Sequence, residues 1–249
     1  MNKKNYAIII QARLDSKRFP KKILKKVHGK EILTIMLERL KKKFKNKIIV
    51  AISNKDYKKI VNICNKKKIR FFLGSDNNVL ERYYKCAIKH RIKTIVRIPS
   101  DCPLIDTNII KKGLRKFFSS SSDYASNLLP RSYIDGNDVE IFSIECLEKI
   151  YNSAISKFDR QHVTTYLQKN KNKKIFKIVN FKAKKDLSLK YRLTLDYKED
   201  LIVIKKILNN KSIFLNYKSI KNIFKKNPRI SMINKKFIGT MWYQKKIIS

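Results

Sequence analysis

Tyr6–Lys22, YAIIIQARLDSKRFPKK, is the stretch whose reading decides the fold. Ala7 to Ile10 is a short apolar run rich in β-branched residues, the pattern of a strand buried on both faces. The chain then turns abruptly polar. Gln11, Arg13, Asp15, Ser16, Lys17, Arg18, Lys21 and Lys22 crowd around Pro20. A buried strand that runs at its C-terminal end into a cationic loop is where open α/β sheets hold anionic ligands. The loop cations suit a polyphosphate. The competing reading is a solvated loop in a lysine-rich chain.

Outward from this stretch, helical and extended patterns alternate. Ile32–Phe44 carries Ile32, Leu33, Ile35, Met36, Leu37 and Leu40 at helix spacing. Lys47–Ser53 reads as a strand, and Lys55–Lys68 as a helix with Tyr57, Ile60, Val61 and Cys64 on one side. Ile69–Leu73 is a strand ended by Gly74, Asn78–His90 a helix, Thr94–Ile98 a strand and Ile105–Phe118 a helix. Such alternation predicts a parallel sheet with right-handed crossovers, an α/β fold of Rossmann-like type. Further strands are expected at 123–128, 139–143, 174–181 and 191–195. Further helices are expected at 144–156, 160–169, 199–208 and 219–225, and Ser119–Ser122 reads as a turn. No linker cuts the chain. One catalytic domain over 1–210 is expected, with a helical extension over 211–249 packed on it.

Composition sets bounds. The chain has 249 residues, 43% of them hydrophobic, enough for a core. The formal net charge is +41, from 60 Lys and Arg against 19 Asp and Glu. Charge of that size suggests a nucleic-acid binder. The lysines, however, are spread along the whole chain, and Lys, Ile and Asn share A/T-rich codons. Biased base composition is expected to account for much of the charge, and no specific nucleic-acid partner is expected. Cys64, Cys86, Cys102 and Cys146 lie far apart, which argues against a zinc site or a disulfide framework. No apolar run approaches the ~20 residues of a membrane span, so a cytoplasmic protein is expected, without membrane insertion.

Five more stretches carry polar residues of interest. In Arg97–Asp106, RIPSDCPLID, Asp101 follows a strand directly and suits a hard cation such as Mg²⁺; it could equally cap the next helix. Asp106 reads as the cap of that helix. In Arg192–Asp200, RLTLDYKED, Asp196 ends a strand and opens a helix, with Glu199 three residues on as in a capping box. In Gly74–Tyr84, GSDNNVLERYY, Ser75, Asp76 and Asn77 read as turn formers. In Ser126–Glu140, SNLLPRSYIDGNDVE, Asp135-Gly136-Asn137 reads as a β-turn. His162, in Phe158–Tyr166, is one of three histidines, and packing or capping is the ordinary use of a lone histidine.

These stretches, taken in order, resemble the cytidylyltransferases that activate acidic sugars: the acylneuraminate and CMP-Kdo enzymes and the spore-coat polysaccharide biosynthesis protein F type. Gln11, Ala12, Arg13, Ser16, Arg18, Pro20 and Lys22 match the opening pattern Q/P-A-R-x-x-S-x-R-x-P-G-K; Lys21 replaces its glycine. The resemblance spans Ile8 to about Asn234. It implies the nucleotide-diphospho-sugar transferase fold, and transfer of CMP from CTP to a sugar acid, nonulosonic- or Kdo-like, with release of pyrophosphate. It makes Arg13, Lys22, Asp101 and Asp196 catalytic, with Mg²⁺ on Asp101 and Asp196. It assigns the nucleotide to Gln11, Ala12, Arg13, Ser16, Arg18, Lys22, Gly74, Ser75, Asn78, Arg82 and Asp101. It assigns the acceptor sugar to Asn127, Arg131, Asp135, Asp138, Glu140, Arg160 and His162, with Arg160 as a carboxylate clamp and His162 the fallback base. The family commonly forms homodimers. A nucleotidyltransferase for another nucleotide or a phosphorylated alcohol is one alternative, and a non-catalytic polyanion binder is another.

Overall fold

The computed structural model describes residues 5–55, 57–169, 174–209 and 212–240. The described strands are β1 (Tyr6–Ala12), β2 (Lys26–Val27), β3 (Lys30–Glu31), β4 (Ile48–Ser53), β5 (Arg70–Gly74), β6 (Thr94–Pro99), β7 (Tyr124–Ser126), β8 (Glu140–Ser143) and β9 (Ile178–Asn180). The described helices are α1 (Ile32–Phe44), α2 (Lys58–Lys66), α3 (Val79–Lys89), α4 (Thr107–Ser120), α5 (Ile144–Ser153), α6 (Lys157–His162), α7 (Thr165–Gln168), α8 (Lys198–Leu208), α9 (Tyr217–Lys226) and α10 (Pro228–Met232). The expected division at 210–211, and residues 241–249 of the expected extension, lie outside the described residues.

Seven strands form one sheet in the order β5-β4-β1-β6-β8-β7-β9. β5, β4, β1 and β6 pair in parallel, β8 runs against both β6 and β7, and β9 is parallel to β7. The sheet is therefore mostly parallel, with β8 as the reversed strand. β1 is followed on one side by β4 and β5, and on the other by β6. The order thus switches direction between β1 and β6, which places a ligand crevice beyond their carboxyl ends.

The alternation along β1 explains the two layers. Ile8, Ile10 and Ala12 face a core built with Leu33, Met36, Leu37 and Leu40 of α1, Ile60 of α2 and Ile110 of α4. Ala7 and Ile9 face a second core with Leu80 and Tyr83 of α3 and Leu147 and Ile150 of α5. Ile8, Ile9 and Ile10 are fully buried, and each contributes roughly 1.5–3 kcal/mol. A strand that buries every side chain in this way can only be central. A third cluster joins Phe19 and Ile35 to Leu104, Ile134, Leu193, Leu195, Val203, Ile220 and Phe224, and so packs α8 and α9 beneath the loops at the carboxyl edge. Among the described residues no helix is long and apolar enough to cross a membrane.

Three expected elements differ. The stretch 191–195 contributes only a bridge between Asp135 and Arg192. Its backbone is bonded instead to loops at the sheet's end, Leu193 N–H to Asp135 C=O at 2.7 Å and Leu195 N–H to Asp101 C=O at 2.8 Å. The expected helix over 160–169 breaks at Val163, which has φ 65°. That conformation is costly for a β-branched residue; the turn brings Thr164 inward, where it donates to the buried Glu140. The strand expected at 174–181 shrinks to β9.

Two glycine-type positions give stability predictions. Lys21, which stands where the resembled pattern has glycine, adopts φ 54°. The left-handed region costs a non-glycine residue about 1–2 kcal/mol. Replacement Lys21→Gly is expected to stabilise the protein by about 1 kcal/mol and raise Tm by roughly 2 °C, measured by calorimetry. Gly136 has φ 98°, and a Cβ there would lie 2.7 Å from the backbone of both Leu193 and Thr194. Gly136→Ala is expected to cost about 2 kcal/mol, lowering Tm by roughly 4–8 °C.

Candidate active site

The loop after β1 is pinned by apolar residues and opened by its cations. Leu14, Phe19 and Ile23 are buried, while Arg13 and Arg18 are exposed. Ser16 Oγ accepts from Phe19 N–H at 3.5 Å, and Lys21 N–H bonds back to Leu14 C=O at 2.9 Å. The loop thus folds on itself and enters the 3₁₀ turn Lys22–Leu24 with the Lys22 side chain directed across the sheet's end.

There Lys22 Nζ donates to Asp101 Oδ2 at 2.9 Å and to Asp196 Oδ1 at 2.8 Å. Asp101 follows β6, and Asp196 precedes α8. Two carboxylates 95 positions apart by residue number (196 minus 101) therefore meet on one ammonium. Arg18 Nη2 reaches the same oxygen of Asp196 at 2.7 Å, and its guanidinium lies 5.5 Å from the Tyr197 ring centre. Tyr197 stacks in turn on Phe237 at 3.7 Å. The loop that carries Asp101 is held from below by Arg39 of α1, whose Nη2 donates to the carbonyls of Leu104 and Ile105 at 2.9 and 3.1 Å. Asp106 caps α4, accepting from Asn108 N–H at 2.6 Å.

The other oxygen of Asp196, Oδ2, accepts from Arg192 Nη2 at 3.0 Å. Arg192 is buried and grips two further acids, Asp135 at 2.7 Å and Asp200 at 3.1 Å. Asp200, not Glu199, supplies the reciprocal bond at the start of α8, accepting from the N–H groups of Asp196 and Tyr197 at 2.9 Å. Its own carboxylate is thereby aligned with the positive end of the helix. Glu199 pairs at the surface with Lys236. Asp196 is therefore relieved of capping, and its side chain faces the cations.

Charge fixes the protonation states. Burial opposes ionisation of Asp196, but Lys22, Arg18 and Arg192 outweigh it and hold the carboxyl down at about 2. Burial likewise works against the Lys22 ammonium, and Asp101 and Asp196 reverse that and raise it. Asp135 is pushed up by burial and by the charge of Asp138, against the pull of Arg192 and Arg131. The Asp196 carboxyl is ionised more readily in the folded than in the unfolded chain. Between about pH 4 and pH 2 the unfolded state binds the extra proton, so stability rises with pH through that window. The apo protein is expected to lose about 2 kcal/mol as pH falls across it. Asp196→Asn should remove this part of the slope in urea titrations run with chelator present.

The remaining sequence candidates occupy three settings. Gln11, at the end of β1, accepts from Arg97 Nη2 at 3.3 Å, and Ala12 is buried beside it. Gly74, Ser75, Asn78 and Arg82 gather where β5 turns into α3. Asn78 caps α3, Ser75 Oγ accepts from Asn78 N–H at 3.1 Å, and Arg82 donates to Ser75 C=O at 2.9 Å. A Cβ on Gly74 would lie 3.0 Å from Arg82 Cγ, so glycine lets that arginine close over the loop. The charges of Arg13 and Asp15 reach Arg82, which makes the two loops neighbours.

In the loop 126–140, Arg131 forks onto Asp138 at 2.9 and 3.1 Å. Asn127 is buried and ties its own loop, donating to Asn137 C=O at 2.7 Å and accepting from Val139 N–H at 2.9 Å. Glu140 is buried among Arg97, Tyr124 and Thr164. Arg160 Nε donates to Ala154 C=O at 3.1 Å, and the His162 ring lies 4.6 Å from Phe158. Arg131 also pairs with Asp135 at 3.6 Å, and through Arg192 and Asp196 this loop is tied to the Lys22 cluster.

Sequence reading passed over Arg39, Arg97 and Arg192. Arg39 and Arg192 are buried and Arg97 is largely so, and each sets a backbone or carboxylate of the site. A buried arginine has no local signature; on a strand or an amphipathic helix it reads as an outward polar position.

Comparison with known proteins agrees with this geometry. The family model described as "Cytidylyltransferase" matches residues 7–226. An uncharacterised protein of Methanocaldococcus jannaschii is 35% identical over 230 residues, covering 91% of this chain and 93% of its own. The spore coat polysaccharide biosynthesis protein SpsF of Bacillus subtilis is 29% identical over 210 residues, 79% of this chain and 83% of its own. A solved structure of a cytidylyltransferase from Leptospira borgpetersenii serovar Hardjo-bovis superposes with a TM-score of 0.87 at 33% identity, covering 92% of this chain and 97% of that one.

Proposed function

The chain belongs to the cytidylyltransferase family, and from that premise we propose that it transfers CMP from CTP to a sugar acid, nonulosonic- or Kdo-like, releasing pyrophosphate. The observation that carries the proposal is the Lys22 ammonium bridging Asp101 and Asp196 at the switch in strand order. The choice of acceptor is supported by the names of two relatives. One is SpsF. The other is a 3-deoxy-manno-octulosonate cytidylyltransferase of Wigglesworthia glossinidia brevipalpis, 30% identical over 145 residues, 55% of this chain and 58% of its own.

The acceptor's hydroxyl oxygen forms a bond to the α-phosphorus. The bond from that phosphorus to the bridging oxygen breaks, pyrophosphate departs, and the hydroxyl proton passes to water. Arg13, Arg18 and Lys22 offset the charge of the triphosphate and of the departing pyrophosphate. Gln11 and the loop 74–82 face the nucleoside, and the loop 126–140 faces the acceptor. Mg²⁺ fits the donors present: two hard carboxylates whose oxygens already share one cation, the ammonium of Lys22. Asp101 and Asp196 would hold it. Bound there, it polarises phosphate oxygens. Among the described residues no cluster of three or more His, Cys, Asp or Glu side chains could hold a metal ion, and phosphate and water oxygens would supply the ligands beyond Asp101 and Asp196.

The polyanion-binding alternative needs a clustered basic face and has no use for buried acids. The site instead gathers Asp101, Asp135, Asp138, Asp196 and Asp200 among its cations. The test is pyrophosphate release with each nucleoside triphosphate, with and without Mg²⁺, against a panel of 2-keto sugar acids. Release with CTP, Mg²⁺ and a sugar acid is expected. Release only with another nucleotide, or with none, overturns the proposal.

A further inference from the structure

Arg192 lies behind the carboxylates and is outside the set that contacts the nucleotide or acceptor in the reading above. It is 6% exposed and fully engaged. Nη2 holds Asp196 Oδ2 at 3.0 Å, Nη1 holds Asp135 Oδ2 at 2.7 Å and Nε holds Asp200 Oδ1 at 3.1 Å. The two oxygens of Asp196 are thus divided: one is bound to the scaffold through Arg192, and the other is presented to Lys22 and Arg18. The far ends are held as well. Thr194 Oγ1 donates to Asp135 Oδ1 at 2.8 Å, and Asn234 Nδ2 donates to Asp200 Oδ1 at 2.8 Å and to Arg192 C=O at 3.2 Å.

We propose that Arg192 is a positioning residue for cytidylyl transfer. It locks the rotamer of Asp196 and, through Asp135, sets that carboxylate in register with the loop 126–140. This deepens the function proposed above and rests on it. A planar guanidinium can hold three carboxylates in fixed directions; a lysine ammonium at the same place cannot. Asp196 lies on the loop between the bridge at Arg192 and α8, so without the clamp its Oδ2 has no scaffold partner and the carboxylate turns.

Removing Arg192 alone strands buried acids, and loss of fold is then the expected complication. The double variant Arg192→Met/Asp200→Asn removes one charge of each sign, keeps Lys22, Arg18 and Asp135, and retains at position 200 an oxygen that can accept from the N–H groups of Asp196 and Tyr197. Positioning predicts a folded double variant whose kcat is ten- to a hundredfold low while KM for CTP changes less than threefold. Arg192→Lys should share that split. A purely structural role predicts near-normal kcat per folded molecule in the double variant, and that result overturns the proposal. A crystal structure of the double variant reads the same point without turnover. Loss of the contact between Lys22 Nζ and Asp196 Oδ1 supports the clamp; retention of that contact at its native length sinks it. If the wild-type protein releases no pyrophosphate from CTP, the proposed function fails, and the crystallographic arm still decides the role of Arg192.

Discussion

Lys22→Ala is expected to lower kcat a hundredfold or more and to leave a folded protein. Among the described residues Lys22 is the one side chain that bonds to both Asp101 and Asp196. In the proposed reaction its charge is set against the triphosphate, where negative charge shifts onto the departing pyrophosphate. A preorganised donor whose interaction tightens in the transition state contributes ~2.7–4 kcal/mol, which is a factor of about 10²–10³. The fold should survive. The site lies at the edge of the core, Asp101 is a quarter exposed, and Asp196 keeps Arg18 and Arg192. The ammonium also occupies the place of a cation between the carboxylates, so Mn²⁺ binding to the nucleotide-free protein should tighten in the variant. Single-turnover pyrophosphate release checks the first effect and calorimetric titration the second. Turnover within threefold of wild type contradicts the assignment.

Asp101→Asn is expected to cost more, roughly a thousandfold in turnover. In the proposed reaction it removes one of the two carboxylates that would hold Mg²⁺, and Lewis-acid stabilisation of a phosphoryl centre amounts to several kcal/mol. This variant is cleaner than Asp196→Asn. Asp101 makes one ion pair, with Lys22, and its backbone carbonyl, which accepts from Leu195 N–H at 2.8 Å, is untouched. Asp196→Asn instead disturbs Arg192 as well. Tm of Asp101→Asn should therefore stay within a few degrees of wild type. Raising Mg²⁺ or Mn²⁺ should recover part of the lost rate, whereas raising CTP alone should not.

The half of the fold that carries the parallel strands was legible because a strand buried on both faces must be apolar throughout. Ala7–Ile10 and Ile48–Ile52 admit no other reading as strands. The loop after β1 was legible for the opposite reason: charged residues at a strand's end have no role in the core. Position alone left Asp101 and Asp196 open between ligand and helix cap; the resemblance of their two stretches to the family's motifs picked them out. Their meeting on Lys22 could not be seen locally, since it depends on strand order. The stretch 191–195 alternates apolar and polar residues as a strand does, yet its partners are the loops at Asp101 and Asp135, an arrangement with the same local pattern. Arg192, Asp196 and Asp200 stand four apart, the spacing of helical salt bridges. That spacing conceals a clamp built partly outside the helix.

The most direct test is a crystal structure with CTP and Mn²⁺, read by anomalous scattering. The account predicts one ion bound by carboxylate oxygens of both Asp101 and Asp196 at about 2.1–2.2 Å, with the triphosphate lying against Lys22. An ion held away from either aspartate, or a nucleotide seated elsewhere on the sheet, contradicts it.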